Sequence, residues 1–72
     1  MNKGLLMSYI IRNGDTQKAL ADAMGISLSR FNAKINARDG ADFTQAEIQM
    51  IISRYKLNPY ATVEIFFASN IT

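Results

Sequence analysis

Apolar residues recur along this chain at helical spacing and nowhere alternate long enough to predict a strand. Leu5, Leu6, Tyr9 and Ile10 share one face, and Gly14 stands where a left-handed C-cap would stop a first helix. Thr16 is placed to cap a second helix, with Asp15 beside its positive end, and Leu20, Ala21 and Met24 form the inward stripe up to Gly25. Ser27 is the expected cap of a third helix over 27–36. Phe31 and Ile35 are its inward face, while Leu28, Ser29, Asn32 and Ala33 point elsewhere. "ARDGAD" reads as loop. Thr44 and Glu47 make a capping box ahead of Ile48, Ile51, Ile52 and Tyr55. Asn58, with Pro59 at the first helical position, opens a short helix through Val63 and Phe66. The pattern predicts an all-α domain of five short helices.

Composition narrows what such a domain can do. Seventy-two residues without a repeat, linker or low-complexity tract make one domain, 1–72, near the lower size limit for a single apolar core. The chain has no cysteine and no histidine, so disulfides, thiolate metal sites and the usual general base are all absent. No nucleophile–base pair or metal-ligand set can be assembled, and the expectation is a non-enzyme without cofactors or metals. The apolar stretch near the N-terminus is broken by Ser8 and ended by Arg12, too short to span a bilayer, and no helix combines a densely basic face with an apolar one. A soluble, cytoplasmic protein is expected. The formal charge of +2 permits nucleic-acid binding without arguing for it.

The stretch from Asp15 to Asn36 carries more. Two helices crossing through a short turn need a residue free to take positive φ, which Gly25 supplies, and a small side chain at the crossing, which Ala21 supplies. "TQKALADAMGIS", Thr16 to Ser27, resembles the helix-turn-helix of the lambda-repressor and Cro-like (XRE-type) regulators. Gln17, Leu20, Ala21, Met24, Gly25 and Ile26 match that motif, and the spacing onward to Phe31 and Asn36 agrees. The resemblance covers about Leu5 to Phe66, with the motif over about 16–36, and is strongest to short phage-type regulators whose chains end in a helix like "EIFF". It implies a compact five-helix lambda-repressor-like fold and sequence-specific binding to a double-stranded DNA operator, with the third helix in the major groove.

Carried over by position, the resemblance makes Leu28, Ser29, Asn32 and Ala33 the base-facing residues. Gln17 is a phosphate contact at a helix N-terminus, and Asn36 and Arg38 are further backbone contacts. Arg30 and Lys34 join Arg38 as cations on one side of the recognition helix, while Ser27 is a cap. Three departures stand out. Leu28 and Ala33 are apolar where the family often has Gln, Arg or Lys, which suits thymine methyls and leaves hydrogen bonding to Ser29 and Asn32. Lys34 occupies a place where a core residue is common. Asp39 and Asp42 put negative charge into the following loop, which is therefore expected to turn away from DNA.

Tyr9, Phe31, Phe43, Tyr55 and Phe66 are expected in the core. Adjacent Phe66 and Phe67 cannot both face inward, so Phe67, with Tyr60 and Ile71, is a candidate homodimer surface; packing by the tail 68–72 is the competing expectation. With the chain closing at Thr72, a Cro-like regulator without an effector domain is favoured over a full repressor. The alternative is a protein-interaction module, an antitoxin or antirepressor, on the same fold.

Overall fold

Each helix begins on a polar side chain that accepts a hydrogen bond from the first turn. In the computed structural model, which describes residues 1–37 and 42–67, α1 spans Lys3–Arg12, α2 Gln17–Met24, α3 Leu28–Ile35, α4 Gln45–Tyr55 and α5 Pro59–Thr62. Thr16 Oγ accepts from Ala19 N at 3.0 Å, Ser27 Oγ from Arg30 N at 3.0 Å, and Asn58 Oδ1 from Ala61 N at 2.7 Å. Thr44 and Glu47 close a reciprocal capping box. These caps satisfy backbone donors that short helices cannot pair internally. One cap was not foreseen: Asn2 starts α1, accepting from Leu5 N at 3.0 Å.

The helix ends follow a second rule. Gly14 and Gly25 take positive φ, +65° and +74°, and the next residue donates back across the last turn: Asp15 N to Ile10 O, Ile26 N to Ala21 O. Helix α4 ends the same way with Lys56 at φ +52°, a conformation lysine adopts at a cost of about 1–2 kcal/mol. The reason lies one residue on. Leu57 is buried and donates its N–H to Ile52 O, and reaching the core from there forces Lys56 to turn left-handed.

Among the described residues the domain is all-α, with five helices and no strand. Leu6 and Ile10 from α1, Leu20 and Ala21 from α2, Phe31 and Ile35 from α3, and Ile51 from α4 meet in one core. Phe43 stacks its ring between Phe31 (5.9 Å) and Phe66 (6.2 Å, edge-on), so the aromatics expected inside are buried or half-buried. The end of the chain departs from expectation. Helix α5 lasts one turn and widens into a π-helical turn, Val63–Phe67. Ile65 takes the core position there, its carbonyl accepting from Asn2 N at 2.6 Å, and Val63 is turned outward.

A polar tie joins the start of α2 to the end of α4. Asp15, expected only to favour the N-terminus of α2, accepts from Arg54 Nε (2.7 Å), Arg54 Nη2 (3.2 Å) and Tyr55 Oη (2.7 Å) at the end of α4. The Arg54 hydrogen bonds, helped by Tyr55 and the Thr16 N–H, outweigh burial and hold the Asp15 carboxyl well below the usual carboxylate range. Burial, then Asp15, pushes the Tyr55 hydroxyl up, so it stays a donor. These groups line a shallow depression with Asn13 and Gly14, and pair with one another inside it.

Because the folded pKa of Asp15 is depressed, its stabilisation is complete above about pH 4 and is lost as pH falls toward the folded value. Asp15→Asn should therefore lower unfolding free energy by about 1–2 kcal/mol at neutral pH. In urea denaturation, the gap from the parent should narrow below about pH 4; a constant gap would refute the ion pair's role.

Candidate nucleic-acid interface

The geometry around Gly25 decides which side of α3 is available. Helices α2 and α3 pack against each other through a turn in which Gly25 is left-handed. A Cβ added to Gly25 would meet nothing within 4 Å, so what the position requires is the positive φ and not extra room. Ala21 is fully buried at this junction. Helix α3 is then fixed by Phe31, Lys34 and Ile35, the i, i+3, i+4 stripe of a single face.

The opposite side is open. Leu28, Ser29 and Arg30 in the first turn are exposed, Asn32 and Ala33 are half-buried, and Asn36 beyond the last turn is exposed. Ser27 spends its hydroxyl on the cap, as expected. Gln17 is half-buried as the first residue of α2. Its backbone N–H and that of Lys18 belong to a first turn that has no intrahelical partners for them. The structure thus brings Leu28, Ser29, Arg30, Asn32 and Ala33 onto one accessible surface. Arg38, Asp39, Ile71 and the tail 68–72 lie outside the described residues.

Lys34 is the correction. Expected among the cations facing outward, it is 5% exposed. Its Nζ lies 3.0 Å from Glu47 Oε1 and donates to the Asp42 carbonyl at 2.9 Å. The spacing carried the signal: Lys34 stands three residues after Phe31 and beside Ile35, where an apolar residue was due. A lysine can occupy such a place only if its charge is paired. Burial by itself raises the Glu47 carboxyl, but the Thr44 N–H and Lys34 together outweigh it, and its pKa is lowered. Asp42 is likewise used locally, its carboxylate accepting from Phe43 N at 2.8 Å.

Asn36 is also engaged. Its Nδ2 donates to the Asn32 carbonyl (2.8 Å) and its Oδ1 accepts from Lys3 Nζ (2.7 Å). Lys3 was not singled out from the sequence, because thirty-three residues separate it from Asn36 and only the packed helices bring them together.

A second surface lies on α5 and the π-helical turn. Tyr60 is 75% exposed, Val63 50% and Phe67 61%, while Phe66 packs against Phe43. Tyr60 and Phe67 are exposed as expected, and Val63 joins them. No helix among the described residues is long and apolar enough to cross a membrane. Compared with known protein families, curated proteins and solved structures, the chain matches none.

The two kinds of cation on α3 should separate experimentally. Lys34→Met leaves Glu47 without its partner and should cost about 3 kcal/mol, visible as a drop of about 10 °C or more in Tm. Arg30→Ala should stay within about 0.5 kcal/mol of the parent. Equal melting of both variants would mean that the Lys34–Glu47 pair does not hold α3.

Proposed function

We propose that this protein is a sequence-specific double-stranded DNA-binding regulator of the Cro/repressor type, with α3 as the helix that enters the major groove. The observation that carries the reading is the division of α3 into two faces. Three residues anchor it to the core, and Leu28, Ser29, Arg30, Asn32 and Ala33 stay accessible along the other side. Ser29 and Asn32 supply donors and acceptors for base edges, while Leu28 and Ala33 suit thymine methyls. The first turn of α2, with Gln17, meets a phosphate through its unpaired N–H groups. The site of action is then the cytoplasm, on operator DNA, without cofactor or catalytic step.

Tyr60, Val63 and Phe67, at i, i+3 and i+7, favour a further element of the reading: pairing with a second copy of the chain. Two recognition helices related by a two-fold axis would read half-sites about 34 Å apart. The same exposed face supports the second reading, a module that grips a different protein, as an antitoxin or antirepressor would.

Selection of duplexes from a random library tests the proposal. The parent should enrich a motif, palindromic if dimeric, and Ser29→Ala with Asn32→Ala should lose it, at about 1–3 kcal/mol per lost base contact. Tyr60→Ser with Phe67→Ser should leave the half-site preference and abolish the palindrome. No enrichment by the parent, with the Tyr60 and Phe67 changes alone removing a bound protein, would overturn groove reading in favour of the second reading.

A further inference from the structure

The contact between α1 and the end of α3 has no part in the core. Lys3 and Asn36 are both exposed, yet Lys3 Nζ donates to Asn36 Oδ1 at 2.7 Å. Asn36 in turn is tied to α3 through its Nδ2 on the Asn32 carbonyl. Residues 29, 32, 33 and 36 follow the three- and four-residue spacing of one helical stripe, so Lys3 stands at the far end of the stripe that carries Ser29 and Asn32.

The charge of Lys3 is placed against its own helix. It is the first residue of α1, at the positive end of the helix dipole, and no acidic residue accompanies it in that turn. Ion pairs take up Lys18, Lys34 and Arg54. Lys3 is held instead by a neutral amide oxygen, which fixes its direction without cancelling its charge. A cation that does not help its helix, pinned to a distant exposed residue, suits an external anion.

Length supplies the rest. Eight residues of α3 rise about 12 Å, close to the roughly 12 Å width of the major groove. A helix that meets base edges with its first turn brings its last turn to the phosphate wall. We propose that Lys3, although on α1, is a backbone-phosphate contact of the α3 surface, and that Asn36 is its positioning residue and not itself the phosphate ligand. This rests on the groove-reading function proposed above. It also replaces the role that sequence position gave to Asn36.

The test is the salt dependence of duplex binding for the parent, Lys3→Gln, Lys3→Arg, Asn36→Ala and the Lys3→Gln/Asn36→Ala pair, with Tm measured for each. Lys3→Gln should weaken binding to all duplexes alike and reduce the slope of log K against log salt by about 0.9, one phosphate's worth of counterion. Lys3→Arg should restore the slope, and Tm should not fall in Lys3→Gln, since the change relieves the helix dipole. Asn36→Ala should weaken the parent but add little once Lys3 is gone. An unchanged slope in Lys3→Gln, while the parent binds, would overturn the Lys3 contact alone. Additive losses would overturn the positioning role of Asn36. A parent without salt-dependent duplex binding would overturn the groove-reading function and this contact with it.

Discussion

Three side chains on one face of α3, Phe31, Lys34 and Ile35, hold in place a helix whose other face is uncovered. An isolated helix of eight residues is unstable in water, so α3 exists only through that attachment. The attachment is mixed in kind. Phe31, beside Phe43, and Ile35 bury apolar surface in the core, whereas Lys34 reaches Glu47 in the first turn of α4 and the Asp42 carbonyl ahead of it. Glu47 serves twice, as partner of Lys34 and as the side chain that closes the Thr44 capping box. The position of α3 and the start of α4 are therefore coupled through one carboxylate.

The charges of the domain sort by use. Arg54 and Lys34 pair across the fold with Asp15 and Glu47, and both carboxyls are shifted toward ionisation, Asp15 chiefly by Arg54 and Glu47 by the Thr44 N–H with Lys34. Lys18 pairs with Asp22 one turn along α2, a contact between two exposed side chains. Surface pairs of that kind contribute little. Arg12 lies 4.6 Å from the centre of the Tyr9 ring. The modest net charge of +2 is thus a poor guide to any one surface, because what counts for a polyanionic partner is which cations remain uncompensated beside α3.

Small size shapes the far side as well. A domain with so few residues cannot bury every aromatic, and the π-helical widening after α5 puts Ile65 in the core while leaving Tyr60, Val63 and Phe67 outside. That surface and the α3 surface are carried by different helices, so their residues can be substituted independently.

Most of the local chemistry was legible in the sequence, with the Asn2 cap of α1 and the left-handed end of α4 the exceptions. Thr16, Ser27, Thr44 and Asn58 cap because a short polar side chain can reach its own first turn. Gly14 and Gly25 end helices because they take positive φ without strain, and those devices fixed the number and order of helices. The outward direction of Phe67 followed from its neighbour Phe66. What tertiary structure alone decided involves partners far apart in the chain: Asp15 with Arg54 and Tyr55, Lys34 with Glu47, Lys3 with Asn36. A lysine's charge says nothing about whether it faces water or a buried carboxylate until the opposing helix is in place. Lys56 obeys the same logic, since its left-handed turn leads into Leu57, whose burial depends on the packed helices.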